Sequence, residues 1–576
     1  MFQLIRYLKG YEKESIIGPL FKLFEACLEL CVPLIMASMI DIGIHTQNTA
    51  YILKMGGLLV LMGVLGLICS MVAQYFAAKA AFGFGTALRR TMFEHINHLT
   101  YKELDSIGTA TLINRLIPDI NQVQSGVNLT LRLFLRSPFI VLGSLILAFF
   151  LDVQLALIFV IITPLLALVI WGIMKATMPI YKKAQKQLDK IALLLRENLS
   201  GVRVIRAFSR QKQEVEQFAD SSNELCDTQL HAGKFSALLN PLTYVLVNLG
   251  ILALLYQGAF AVDSGRISQG NLVAFINYMS QILLALIALS NLIVSITKSF
   301  ACANRINEIL DTSPSFESPK ATPTLDKTKP CVEFRSVSFG YGGTLALQNI
   351  SFSALAGQTI GIIGGTGCGK STLVNLIPRF YTHNSGEILI HGVPLEQWNL
   401  TDLRQQIGIA AQKNILFSGT IRSNLCLKKP NATDAELWHA LKIAQAAEFV
   451  SKLEKTLDSP VLQGGTNFSG GQRQRLTIAR ALVGNPSILI FDDSTSALDY
   501  TTDAKLRQAL TEKTQNGKTI FLVSQRIMCV KNADLILVLE NGALAGCGTH
   551  EELSKHCSIY QEICLSQLKQ KEDALQ

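Results

Sequence analysis

The stretch Thr359–Ile377, TIGIIGGTGCGKSTLVNLI, decides how this chain is read. Its apolar start, Thr359–Ile363, predicts a buried strand, and Thr372–Ile377 is expected to open a helix. Between them Gly364, Gly365, Thr366, Gly367, Cys368, Gly369, Lys370 and Ser371 form a P-loop, with Thr372 just beyond. Glycines let consecutive backbone N–H groups curl around a phosphate without Cβ clashes. The N-terminus of the following helix adds partial positive charge. Lys370 is expected to reach the β- and γ-phosphates, and the Ser371 hydroxyl to ligate magnesium. A plain glycine-rich turn explains neither residue. Cys368 is read as a small loop residue; the alternative is a thiol activated by Lys370 and the helix N-terminus.

Further along, residues 487–493 read SILIFDD. Buried strand residues end there in two acids, at the carboxyl end where ligands bind in open α/β sheets. Asp492 is expected to hold magnesium, and Asp493 to stand where an attacking water is oriented. Residues 331–576 alternate short Val/Ile/Leu runs with helical patterns, which predicts an α/β domain with a buried parallel sheet. Residues 311–330, DTSPSFESPKATPTLDKTKP, lack apolar periodicity and read as a linker.

Residues 1–310 are of another kind. The whole chain of 576 residues is 49% hydrophobic and 16% charged, with mean hydropathy +0.32. Soluble chains carry about 25% charged residues, so a fully soluble or disordered protein is excluded. Six apolar segments, near 16–41, 54–78, 126–151, 155–175, 236–262 and 271–297, reach the roughly 20 residues needed to cross a bilayer. Lys and Arg gather in the long links 79–125 and 176–235, which puts both links and both termini on the cytoplasmic side. Three- and four-residue apolar spacing within these links predicts spanning helices that run on into the cytosol and turn back near Asp105–Thr109 and Gly201–Val202. The N-terminus, MFQLIRYLKGYEKES, lacks the features of a signal peptide. The net charge of +9 is read as positive-inside charge rather than a nucleic-acid surface. The twelve cysteines are scattered, without zinc spacing.

Between the P-loop and the SILIFDD strand lies NFSGGQRQRLTIARAL, residues 467–482. Here the chain resembles the ATP-binding cassette (ABC) superfamily, essentially over its whole length. Ser469, Gly470, Gly471 and Gln472 match that family's signature motif. The resemblance implies two cassettes meeting head to tail, each signature contacting the γ-phosphate on the other's P-loop. It implies that Tyr341, in VSFGYGG, stacks on adenine, and that Gln412, in IGIAAQKNILFSGTIRSNL, joins magnesium to the membrane-domain contact. Ser496–Asp499 (SALD) matches the loop that crosses to the partner. The six spans and long hairpins resemble the exporter type, in which one chain is a half-transporter; DSIGTATLINRLIPD and ENLSGVRVIRAF resemble the regions around its two coupling helices.

Three departures bear on mechanism. The family has Glu at Asp493, one methylene longer, and His at Gln525, in FLVSQRI. An amide bonds a phosphate oxygen but cannot become cationic. Gln463 replaces a Glu common in homodimeric exporters, and Phe468 replaces the commoner Leu. This pattern resembles the degenerate-site subunit of bacterial heterodimeric multidrug exporters. Its own ATP site would be slow, and Ser469–Gln472 would complete the partner's fast site. The resemblance thus implies ATP and Mg²⁺ as cofactors and a second half-transporter as partner in a bacterial plasma membrane. The exported compounds would be small amphipathic molecules. A homodimeric lipid or peptide exporter and a regulatory ATP-binding subunit are the alternatives.

Charged groups within spans are expensive. Lys22, Glu25 and Glu29 share one helix face; they attract cationic substrates, or form a Lys–Glu pair with an interhelical hydrogen bond, Lys22 snorkelling towards the cytosol. Arg132 and Arg136 read as a solvated inner face. In the last span Asn277, Gln281 and Asn291 share a face, expected to border a substrate chamber.

Overall fold

The computed structural model describes residues 2–321, 324–326, 328–494, 498–514 and 517–573. The chain forms two compact units: Met1–Asn97 with Thr109–Thr312, and His98–Gly108 with Ser313–Gln576.

The first unit is helical: α1 (Glu12–Ser38) and α2 (Thr49–His98), then, beyond the excursion α3 (Tyr101–Ile107), α4 (Thr109–Asn114), α5 (Ile120–Leu133), α6 (Arg136–Leu151), α7 (Val153–Ser200), α8 (Val202–Ala207), α9 (Gln211–Ala237), α10 (Leu239–Asp263) and α11 (Gln269–Leu310). Six helical stretches among the described residues are long and apolar enough to cross a membrane. The 50 residues of α2 span about 75 Å at 1.5 Å per residue. That exceeds twice the roughly 30 Å hydrocarbon core, so about half of α2 must lie outside it.

Local chemistry sets the helix ends. Asp152 caps α7, its carboxylate accepting from Leu155 N at 2.9 Å, and Ser268 caps α11 through Asn271 N at 3.1 Å. Across helices, the buried Tyr278 hydroxyl donates to Leu30 O at 2.9 Å, satisfying a phenol that apolar surroundings would otherwise strand. Gly270 is required where it stands. A Cβ there would lie 2.2 Å from the Ala37 carbonyl oxygen, where α11 meets α1.

The third apolar segment keeps helical backbone through Phe134 and Leu135, which lie between α5 and α6, and it is one of the six spanning stretches. Pro138 falls in the first turn of α6, where its missing N–H leaves no bond unmade. The expected turn at Asp105–Thr109 is narrower. Asp105 lies within α3, and the chain turns at Gly108, whose φ is +80°. At the other hairpin, α8 sits between a break at Gly201 and a second turn at 208–210.

The second unit carries twelve strands among its described residues: β1 (Val332–Gly340), β2 (Leu345–Ala354), β3 (Thr359–Gly364), β4 (Ser385–Ile390), β5 (Val393–Pro394), β6 (Ile407–Ala410), β7 (Gly419–Thr420), β8 (Pro460–Val461), β9 (Ile488–Asp492), β10 (Thr519–Val523), β11 (Leu535–Glu540) and β12 (Ala543–Gly548). The central sheet has the order β12-β11-β3-β10-β9-β6. It is parallel from β11 to β6, with β12 antiparallel at one edge. A separate antiparallel sheet, β2-β1-β4-β5, covers one side. Burial on both faces explains the near-continuous apolar runs of β3 and β9. One core joins Phe334, stacked on Phe352 at 4.7 Å, to Trp398 and Phe521. A second gathers Phe468, Leu476 and Phe491.

The short helix α3 packs with this second unit. Tyr101 lies 4.5 Å from the Phe380 ring, and Thr100 N donates to the Glu103 carboxylate at 3.0 Å. Part of the Pro/Ser-rich stretch is also held here. Asn399 Nδ2 donates to Pro319 O at 2.8 Å, and the Arg379 guanidinium sits 4.3 Å over the Phe316 ring.

Candidate nucleotide site

Four parallel strands bring together residues far apart in the chain. The P-loop leaves the carboxyl end of β3, Asp492 and Asp493 end β9, Gln525 follows β10, and Gln412 follows β6. Register does the aligning: Val523 is opposite both Ile362 of β3 and Asp492 of β9. Such a row of carboxyl ends is where open α/β sheets bind ligands.

The P-loop backbone requires glycine at two points. Gly369 has φ +98°, and its Cβ would meet Ala346 O at 2.7 Å; a Cβ on Gly364 would meet Leu539 O at 2.2 Å. Gly365, Thr366 and Gly367 form the outer curve of the loop, and Thr372 is buried in the helix Lys370–Leu376. The buried Lys370 ammonium donates to the carbonyls of Gly364 at 3.0 Å and Gly365 at 2.6 Å, and lies 3.7 Å from Cys368 Sγ. Three donors on a flexible stem suit that ammonium to exchange these neutral acceptors for phosphate oxygens.

The Ser371 hydroxyl donates to Asp492 Oδ1 at 2.9 Å. A hydroxyl and a carboxylate in contact form the hard oxygen pair that suits magnesium, so these residues fit the ion. Burial pushes the Asp492 carboxyl up, against the bond from Ser371; the neighbouring Asp493 charge pushes the same way as burial. Burial likewise raises Asp493, opposed by the positive charges of Arg526 and Lys370. Asp493 takes φ +46°, and its N–H donates to Val523 O at 3.0 Å. Asp and Asn tolerate that left-handed backbone better than most residues. Gln412 and Gln525 are both exposed; the Gln525 carbonyl accepts from Gln567 Nε2 at 2.6 Å.

Tyr341 follows β1 and is 58% exposed. Its ring lies edge-on to Phe339 at 4.9 Å, and its hydroxyl donates to Thr372 Oγ1 at 3.1 Å. An exposed ring anchored to the P-loop helix is a surface on which a flat base can stack.

Ser469 caps the helix Gly470–Leu482 in a capping box. Its N–H donates to Gln472 Oε1 at 3.0 Å and its hydroxyl accepts from Gln472 N at 3.3 Å. Ser469 and Gly470 are exposed, and Gly471 and Gln472 half-buried. Their helix N-terminus therefore faces outward, as an anion site requires. Phe468 is buried beside Phe449, which accounts for an aromatic at that position as packing. Ser496 and Ala497 lie outside the described residues; Asp499 accepts from Thr502 N at 3.1 Å.

Within the first unit, Lys22 is buried. It pairs with Glu25 at 2.6 Å and donates to Ser70 Oγ at 3.2 Å, so it does not snorkel. Arg136 pairs with Glu29 at 2.7 Å, and both side chains stay partly exposed. Desolvation makes partnered charge the cheaper state here. Glu25, Glu29, Arg136, Ser70, Val32 and Met62 line one open cleft of about 530 Å³. Gln281 Nε2 reaches Glu29 O at 3.3 Å, whereas Asn277 bonds back to Val273 O at 3.0 Å and Asn291 is exposed elsewhere on α11. None of Gln281, Asn277 and Asn291 is among the described residues lining the cleft. Sequence reasoning missed Arg136 as the partner of Glu29, since no spacing links residues so distant. It also missed the α3 cap, although Thr100 and Glu103 stand at capping-box spacing.

Comparison with known proteins agrees with this architecture. Residues 15–286 match the ABC transporter transmembrane region and residues 347–496 the ABC transporter family. An uncharacterized ABC transporter ATP-binding protein of Mycobacterium tuberculosis is 36% identical over 573 residues, 98% of this chain and 97% of that protein. An ATP-dependent lipid A-core flippase of Desulfotalea psychrophila is 34% identical over 473 residues, 82% of each. The solved structure of a bacterial Atm1-family ABC exporter with ATP bound superposes with a TM-score of 0.81 at 23% identity, over 96% of this chain and 98% of that one. The fold is that of an ABC exporter, a six-helix transmembrane domain fused to a P-loop nucleotide-binding domain, and the chain belongs to the ABC transporter family.

Proposed function

We propose that this chain is one half of a heterodimeric ABC exporter in a bacterial plasma membrane, with both termini cytoplasmic. Its own ATP site is the slow one, and its signature completes the partner's active site. The observation that carries this is the pairing of Asp493 and Gln525 at the ends of adjacent strands beside an unaltered P-loop, while Ser469–Gln472 keep the full signature. Gly364–Thr372 hold the phosphates, with Lys370 on the β- and γ-oxygens, and Tyr341 takes the adenine. Ser371, Asp492 and Gln412 would hold magnesium, which neutralises phosphate charge when bound. Asp493 orients water with a carboxylate one methylene short, and Gln525 offers the γ-phosphate a neutral donor in place of a cation. Binding at this site thus outlasts hydrolysis, and holds two cassettes closed while the partner-dominated site turns over.

The transported compounds are small amphipathic molecules, and the open cleft lined by Glu25, Glu29 and Arg136 is where one would be received. A second reading, lipid export, is favoured by the flippase relative. The test is ATP turnover of the chain alone in lipid, with Lys370→Ala as blank, then with a partner half-transporter. Turnover at the blank that a partner restores, and that Ser469→Ala then abolishes, supports the proposal. Turnover near 1 s⁻¹, the low end for enzymes, by the chain alone refutes it. Stimulation by lipid but not by amphipathic drugs selects the second reading.

A further inference from the structure

An aromatic chain runs from Tyr341 to α3 within the second unit. The Tyr341 ring meets the Tyr381 ring edge to face, with centroids 5.2 Å apart and planes at 87°. Tyr381 is half-buried, and also packs on Phe339 at 5.6 Å and Tyr101 at 6.2 Å. Its hydroxyl donates to Asp105 Oδ2 in α3 at 2.5 Å. A phenol donating to a carboxylate makes a short, charge-assisted bond. Glu103 is the single buried residue of α3. Its other anchors include the Glu103 carboxylate, bonded to Thr100 and Ser315, and the Tyr101–Phe380 contact.

The geometry has a consequence for any group laid on Tyr341. Edge-to-face pairs have a preferred geometry, because a ring edge is positive and its face negative. A flat base on the exposed face of Tyr341 therefore favours one setting of that ring. Tyr341 is also tied to the P-loop helix by its bond to Thr372. Resetting it moves the edge-to-face partner, whose hydroxyl position decides whether Asp105 keeps its donor. We propose that Tyr381 is a positioning residue that transmits the presence of a base on Tyr341 to α3 through its hydrogen bond to Asp105. This rests on the assignment of Tyr341 to adenine. It adds that α3 responds to the base and not to the phosphates.

Hydrogen–deuterium exchange of the full chain in lipid nanodiscs tests this at residues 101–107. The ligands are MgATP and magnesium tripolyphosphate, each at saturation judged by protection of the P-loop. Wild type should show MgATP slowing exchange in α3 by about fivefold or more, the low end of allosteric coupling, with tripolyphosphate leaving α3 unchanged. Tyr381→Phe keeps the ring contact and loses the hydroxyl; Asp105→Ala removes the acceptor. Each should lose the α3 response while MgATP affinity stays within about twofold, the range of a surface substitution. Equal α3 protection in Tyr381→Phe and wild type, or equal protection by the two ligands, overturns the proposal. Tyr341→Ala separates this from failure of the underlying assignment. If it leaves the preference for MgATP over tripolyphosphate intact, adenine does not lie on Tyr341, and the relay falls with that assignment.

Discussion

Replacing Asp493 with Glu, alone and together with Gln525→His, should switch on hydrolysis at this chain's own site. The backbone at Asp493 is pinned, its N–H donating to Val523 O at 3.0 Å on the adjacent strand. An added methylene therefore goes into reach rather than being absorbed by backbone shift. Misplacement of a catalytic group by about 1 Å costs about 10²-fold in rate. That corresponds to about 2.7 kcal/mol, at 1.36 kcal/mol per tenfold. Asp493→Glu should recover that factor in an assembly of two copies of the variant chain, and Gln525→His should add to it by supplying a cationic partner. A cost accompanies the gain. At φ +46°, Glu is less at home than Asp, but Asp already bears most of the roughly 1–3 kcal/mol of such strain, so the variant should melt only slightly earlier. The assay is phosphate release by the full chain in lipid nanodiscs, with Lys370→Ala as blank and ATP binding measured in parallel. If the double variant binds ATP yet stays at the blank, these two residues are not what slows the site.

Two further outcomes are expected. Burial, reinforced by repulsion from Asp493, raises Asp492 above its ordinary value despite the Ser371 bond. Magnesium needs the ionised form, so as the pH is lowered through the acid window MgATP affinity should begin to weaken at a higher pH than an ordinary Asp near 3.9 allows. Calorimetric titrations showing an affinity flat across that window, or an equal slope in Asp492→Asn, would count against it. In the membrane unit, Gly270→Ala drives a Cβ to 2.2 Å from Ala37 O. It should destabilise the protein by about 1–3 kcal/mol, as overpacking does; an unchanged melting temperature in detergent would show that α1 and α11 separate freely.

The chemistry of the site is legible along the chain, because each motif is a local solution to a local demand. Lys370 and Ser371 must follow a glycine turn, and two acids must end an apolar strand; those needs are met within a few residues. Helix length is legible for the same reason, since hydropathy and three- and four-residue spacing are properties of neighbours. Even the α3 cap is available, in the spacing of Thr100 and Glu103.

Tertiary structure alone decided which distant residues meet. Val523 stands opposite both Ile362 and Asp492 through parallel register, and no spacing along the chain encodes that pairing. Arg136 lies opposite Glu29, and Tyr381 opposite Asp105, because folded backbones carry them there. Opposite charge or a short charge-assisted bond then favours each pairing once the groups are side by side. α3 leaves the helical unit for the nucleotide-binding unit because its contacts, Phe380, Tyr381 and Ser315, come from sequence hundreds of residues away. Sequence by itself therefore determined the site's parts and the spanning helices, which depend on local chemistry. The assembly of those parts, and the pairs that link them, rest on long-range packing that only the fold supplies.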